Sequence, residues 1–216
     1  MSEKKKMTAF EAVDNFWYYH KWKVVAAIVL VIAVIAGIGF VNANTDNRDY
    51  DFVAISVFAR PMTTEDYTLD KQLESVVVDI DGNGDLAIKT PSYYITEGAT
   101  GDNDRLSISQ FEAAMSEAGG DIILFDKANL ERFLPKDFFA DISDYVDMSQ
   151  VPQEGIVYRN DVPVAVRLSD SKALTDMQFV IDDIYVSVMF TPDEADEKIL
   201  ASRSMAKGAI EKLIEK

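Results

Sequence analysis

The chain has 216 residues, 48% of them hydrophobic and 11% aromatic, which is material for one globular core plus a short appendage. Its formal net charge is −16; five of the 21 basic but only three of the 37 acidic side chains precede residue 44, so residues 44–216 carry −18. A surface of that sign excludes nucleic acid as a partner and is repelled by anionic lipid. Cysteine is absent and the one histidine is His20, which removes disulfides, thiol nucleophiles, imidazole bases and the common zinc ligand sets from everything after it.

Residues 1–23 form a basic, aromatic flank with Lys4, Lys5, Lys6, Lys21 and Lys23 beside Phe16, Trp17, Tyr18, Tyr19 and Trp22. The stretch from Thr8 to Lys21 suits a short helix lying in a membrane interface. Eighteen uncharged apolar residues follow from Val24 to Val41. As a helix they span about 27 Å against a hydrocarbon core of about 30 Å, so residues 24–43 are expected to be a transmembrane helix contacting the lipid bilayer. The basic excess before the run places residue 1 in the cytoplasm and the rest of the chain outside, as a single-pass protein of the cell membrane. Within it Ala33 and Gly37 make a small-xxx-small pair of the kind found where membrane helices meet. The competing reading is a signal peptide cleaved after Ala43, at Val41-Asn42-Ala43.

Residues 44–49 are a polar linker. From residue 50 to 216 strand-like and helix-like segments alternate, which predicts one α/β domain, three-layered, with a mixed sheet. Tyr50 to Ala59 reads as a buried strand ended by Pro61, and Leu69 to Ile80 as a helix whose end is weakened by the β-branched run from Val76. Leu86 to Ile95 reads as extended. Ser109 and Glu112 form a capping-box pattern ahead of Phe111 and Met115, with Gly119-Gly120 as the stop. Ile122 to Phe125 is a short buried strand, and Asp126 caps a helix carrying Leu130, Phe133 and Leu134 up to Pro135. Asn160-Asp161 is a hairpin turn between Ile156 to Arg159 and Val162 to Leu168, with Pro163 pointing to an edge strand. Phe179 to Phe190 gives the last strand. Thr191 to Glu194 combines an N-cap, a proline and a capping box ahead of a final amphipathic helix on Ile199, Ala206, Ile210 and Leu213.

The sharpest local feature is DIDGNGDLAIKT, Asp79 to Thr90. Asp79, Asp81 and Asn83 offer side-chain oxygens at alternate positions, Gly84 permits the sharp turn, and Asp85 offers its carbonyl, the ligand set that a hard cation such as calcium requires. This resembles the first eight positions of the EF-hand loop; Thr90 stands where that family has a bidentate Glu. The plain alternative is a loop held by its own side-chain hydrogen bonds. Asp182, Asp183 and the series Asp137, Asp141, Asp144 and Asp147 are the carboxylates from which a glycoside-hydrolase pair would have to come. Gly98 and Gly101 lack the pattern of a phosphate loop.

The segment GGDIILFDKANLERFLPKDFFADISDYV, from Gly119 to Val146, resembles the part of extracytoplasmic solute-binding proteins in which a G-x-D-apolar strand leads into a short helix and an L/I-x-D-Y element. YRNDVPVAVRL, Tyr158 to Leu168, resembles their next hairpin. The order of flank, apolar run, strand, DxDGNGD loop and this segment is similar to a group of uncharacterised single-pass proteins of Gram-positive bacteria. The resemblance implies an α/β architecture and a single lobe, because solute-binding proteins have two lobes and about twice this length; no ligand-binding residues follow from it. The expected function is a membrane-anchored, non-enzymatic binding or interaction module for a protein or small molecule, with calcium as a structural ion. A carboxylate-dependent hydrolase and an accessory subunit of a transport or export assembly are the alternatives.

Overall fold

Strand β1 (Phe52–Phe58) is buried along nearly its whole length, the condition of a strand covered by helices on both faces. Phe52, Ala54 and Phe58 join one hydrophobic core, and Ile55 and Val57 the other, as the two-residue period of a strand requires. The same parity divides β4 (Ile122–Asp126), with Ile122 and Leu124 on one side and Ile123 and Phe125 on the other. In β7 (Ile184–Val188), Ile184, Val186 and Val188 face the first core and Tyr185 the second. The computed structural model describes residues 17, 18, 20–25, 29, 50–60, 68–168, 170–177 and 183–215. Its two units are Met1–Arg48 and Asp49–Lys216.

Within the second unit the first core is closed by α1 (Leu69–Leu73), α4 (Lys172–Asp176) and α5 (Glu197–Ile214). The second is closed by α2 (Asp102–Ser116) and α3 (Lys127–Phe133), whose Phe111 and Phe133 stack edge to face at 4.6 Å between ring centres. The result is a three-layer α/β domain. Helix α5 contributes Met205, Ala206, Ala209, Ile210 and Leu213 to the first core. Each of its large apolar side chains is worth about 1.5–3 kcal/mol in burial.

The remaining strands are β2 (Ile88–Lys89), β3 (Ser92–Tyr94), β5 (Ile156–Arg159) and β6 (Val162–Arg167), and the sheet order is β2-β1-β4-β7-β6-β5, with β3 also paired to β1. Strands β2, β3 and β4 run parallel to β1, while β7, β6 and β5 continue antiparallel, so the sheet is mixed. The chain leaves β1 toward β2 and β3, then returns past β1 to β4. Crossovers of one hand travelling in opposite directions put their helices on opposite faces, which is why α1 and α2 lie in different layers.

Several boundaries differ from the sequence reading. The expected spanning helix over 24–43 lies outside the described residues, apart from the helical Val24, Val25 and Val29. Among the described residues no helix is long and apolar enough to cross a membrane. The interfacial stretch 8–21 is described only at residues 17, 18, 20 and 21, which are helical. Helix α1 ends at Leu73, before the β-branched run, and the extended segment breaks into β2 and β3 around Pro91. Ser109 and Glu112 sit inside α2, which starts at Asp102, where the Gly101 N–H donates to Asp104 Oδ2 at 3.2 Å. Its polar first turns hid that start. The helix ends at Ser116 and the chain turns out of it at Ala118, in the left-handed region at φ 51°, with the Gly119 N–H bonded to the Ala114 carbonyl. Helix α5 is capped by Asp196, which accepts from the Ile199 N–H, and not by Thr191. Strand β6 is interior despite Pro163; that residue lies beyond the stretch Ala165 to Arg167 paired with β7, and in the ladder to β5 it stands opposite Tyr158, beside the register shift at Val157 and Tyr158. Helix α4 was not foreseen, and of the last strand only 183 onward is described.

Two neighbouring positions respond oppositely to substitution. A Cβ on Gly120 would lie 2.5 Å from Ile55 Cδ1, in the fully buried second core, so Gly120→Ala should destabilise the protein by about 1–3 kcal/mol. Ala118→Gly relieves the left-handed strain and should stabilise it by about 0.5–1 kcal/mol. Urea unfolding of the two variants measures both, and a Gly120→Ala midpoint at or above that of the parent contradicts the packing argument.

Candidate functional site

Polar chemistry concentrates at the two ends of the parallel half of the sheet. At the amino end, Asp51 immediately precedes β1 and is 2% exposed. Its Oδ1 accepts from the Ile80 N–H at 2.8 Å and its Oδ2 from the Ala87 N–H at 2.9 Å, so one carboxylate holds both stems of the 79–87 loop. In the loop Asp79 accepts from the N–H groups of Gly82 and Gly84, each at 2.8 Å, and Asp81 accepts from the Asn83 N–H at 3.0 Å. Gly82 and Gly84 have φ of 69° and 90°, which explains the two glycines. The Gly84 N–H holds the Asp79 carboxyl below the usual carboxylate range, with the Gly82 N–H and Asp81 adding to the effect.

One carboxylate oxygen from each of Asp51, Asp79 and Asp81 lies within 4.8 Å of the others. Two of the four sequence-predicted ligands therefore converge, joined by Asp51, which the motif does not contain. Asn83 stands beside them, its Nδ2 donating to Asp81 Oδ2 at 2.9 Å. The carboxylate of Asp85 is not among the three, and its N–H donates to Asn83 Oδ1 at 2.7 Å. An all-oxygen set of this kind suits a hard cation, and each carboxylate oxygen keeps a second lone pair beyond its hydrogen bond. Strand β2 follows the loop, where an EF-hand has a helix. In sequence Asp51 is marked only as an acid set directly before the apolar run of β1, and no spacing ties it to the loop.

At the carboxyl end, Asp126 closes β4. Its Oδ1 accepts from the Asn129 N–H at 2.9 Å and caps α3, and its Oδ2 takes the Ala59 N–H just after β1. Asn129 is fully buried, donating to the Ile95 carbonyl and accepting from Arg132. Arg132 in turn donates to the carbonyls of Thr96 and Glu97. Asp104 accepts from the Thr96 N–H at 2.8 Å and hydroxyl at 2.9 Å. The Thr96 N–H, then its hydroxyl, the Gly101 N–H and the Arg132 charge hold the Asp104 carboxyl below its ordinary range. This network fixes the turn after β3 against the starts of α2 and α3. Apart from the Asp126 cap, nothing in the sequence pattern marked it, because its members lie on four separate elements.

The carboxylates considered for glycoside hydrolysis are dispersed among local partners. Asp137 pairs with Arg159, Asp183 with Arg167, and Asp141 and Asp147 accept from the N–H groups of Ser143 and Ser149. Asp144 lies exposed in a single 3-10 turn, and Asp182 is outside the described residues. Comparison with protein-family models, curated proteins and solved structures finds no match to this chain.

The Asp104 network carries a pH signature. A carboxylate whose folded pKa is depressed stabilises the fold above its unfolded pKa, near 3.9, and loses that contribution as pH falls through the folded value. Asp104→Asn should therefore lower the urea midpoint at neutral pH, with the gap to the parent narrowing as pH falls below the unfolded value, about 3.9. A gap that stays constant from pH 7 to pH 3 removes the ionised carboxylate as the cause.

Proposed function

We propose that this protein is a membrane-tethered extracytoplasmic binding module, a single α/β lobe whose ligand face lies at the carboxyl ends of β1, β3 and β4. One observation carries the reading: the chain order reverses between β1 and β4, and open α/β sheets bind ligands outside the carboxyl ends of their strands at such a reversal. The rim there is rigid before any ligand arrives, because Asp126, Asn129, Arg132 and Asp104 hold its turns through satisfied hydrogen bonds. Arg60 and Tyr94 follow or end the parallel strands at that rim and are exposed. The apolar run and its basic flank support the tether, and the charge of −18 supports a domain held off the lipid surface.

The full chain in lipid nanodiscs tests this. Native mass spectrometry and thermal shift against small-molecule panels and membrane extracts should find an occupant whose affinity falls at least tenfold in Arg60→Glu or Tyr94→Ala. No occupant, or one indifferent to both variants, overturns the proposed face. Orientation has its own test, since the chain lacks cysteine. Ser116→Cys should react with an impermeant maleimide in intact cells, and Ser2→Cys only after permeabilisation.

The same reading gives the Asp51, Asp79 and Asp81 group a structural calcium ion, in which Asp51 ties the start of the domain to the loop. Titration calorimetry on the full chain should give a dissociation constant of about 0.1–1 mM, the range of extracellular modules. Asp81→Asn should weaken it severalfold, and no heat or thermal shift at several millimolar calcium removes the ion from the proposal.

A further inference from the structure

Asn83-Gly84 is the one Asn-Gly step in the chain, and the attacking nitrogen, the carbonyl oxygen and the leaving nitrogen of an intramolecular attack at that step are each hydrogen-bonded. We infer that Asn83 is a site of spontaneous, structure-assisted deamidation. Three contacts carry this. The side-chain carbonyl oxygen of Asn83, on which negative charge develops, accepts from the Asp85 N–H at 2.7 Å. The attacking nitrogen, that of Gly84, donates its proton to Asp79 Oδ2 at 2.8 Å. The leaving nitrogen, Asn83 Nδ2, donates to Asp81 Oδ2 at 2.9 Å.

The first contact acts as an oxyanion donor and the second orients the attacking nitrogen. The step itself balances. The Gly84 nitrogen bonds to Asn83 Cγ and loses its proton to solvent hydroxide, while the Cγ–Nδ2 bond breaks. The departing nitrogen gains one proton from water, which regenerates the hydroxide, and leaves as ammonia, and a five-membered succinimide remains. One water then opens the ring at either carbonyl, giving aspartate or isoaspartate at position 83. Glycine at 84 leaves the nucleophile unhindered, and the space where a Cβ would stand is open, with no atom beyond the adjacent residues within 4 Å of it. Asn83 and Gly84 are both exposed, so water reaches the ring.

The two products have opposite consequences for the loop. Aspartate adds a carboxylate next to Asp81, beside the Asp51, Asp79 and Asp81 group. Isoaspartate lengthens the backbone by one atom inside the turn that Gly82 and Gly84 form, and the Asp79 contacts cannot all survive it.

The test follows the wild-type full chain at 37 °C and neutral pH by peptide mapping, with native and urea-denatured samples side by side. Conversion at Asn83 should outpace that at Asn103, Asn129 and Asn160, and should be faster in the native chain than in urea. Slower conversion in the native chain overturns the proposal, because the loop would then protect Asn83. Asp79→Asn should slow the native reaction severalfold, and a faster reaction in that variant overturns the assistance assigned to Asp79. The native-against-denatured comparison needs no variant, so it decides the matter even where a substitution disturbs the loop.

Discussion

The carboxylate of Asp121 is the contact on which the layers depend. It stands at the amino end of β4, 4% exposed, and accepts from the Val53 N–H at 2.7 Å, the Ser202 hydroxyl at 2.7 Å and Arg203 at 3.2 Å. One side chain thus joins β4 to β1 and both to α5. Burial pushes the Asp121 carboxyl up, and Arg203 and Ser202 pull it back. A buried ion pair contributes little net stability against an apolar substitute of the same shape, but removing one partner alone costs about 3–5 kcal/mol. Its value here is in register: α5 can dock on the first core in one position only, since Arg203 also donates to the carbonyls of Gly120 and Phe190. On the side of the opposite core a Cβ at position 120 would lie 2.5 Å from Ile55 Cδ1, so a glycine stands just before Asp121.

That arrangement explains which parts of the fold were legible in the sequence. Strands buried on both faces announce themselves as unbroken apolar runs, and β1 and β4 were readable for that reason. The Asp126 cap and the Asn160-Asp161 turn were readable because their chemistry is local; both turn residues adopt positive φ, as such hairpins need. The starts of α2 and α5 were misplaced because several caps compete in polar stretches, and tertiary contacts choose among them. Asp196 wins over Thr191 at the helix whose Ser202 and Arg203 must reach Asp121. Helix α4 is five residues long, too short to leave a period, and depends on the Ser171 cap and on a hydrogen bond from Lys172 N–H to the Glu215 carbonyl.

The site was legible to the same degree. Three oxygen side chains and a glycine at fixed spacing are a local signal, so the loop over Asp79 to Asp85 could be found without coordinates. Asp51 could not, since it meets Asp79 and Asp81 only because β1 and β2 pair in parallel, with Phe52 opposite Ile88. The rim at the opposite end is assembled from the starts of α2 and α3 and the ends of β1 and β3. No spacing in one chain encodes such a meeting of four elements.

The large negative charge also takes on a different meaning once the acids are placed. Asp126, Asp141, Asp147 and Asp196 accept from N–H groups at the starts of helices or 3-10 turns, and Asp51, Asp79, Asp81 and Asp104 accept from loop N–H groups. Short helices separated by tight turns leave many backbone donors without partners, and aspartate, with two acceptor oxygens on a one-carbon stem, satisfies two at once. Eight of the 37 acids thus serve the backbone of a fold built from short helices and tight turns. The net charge is no measure of how cationic a ligand must be. The part of the charge open to a ligand or an ion is the part whose oxygens converge instead of capping separately, and among the described residues that convergence is found at Asp51, Asp79 and Asp81.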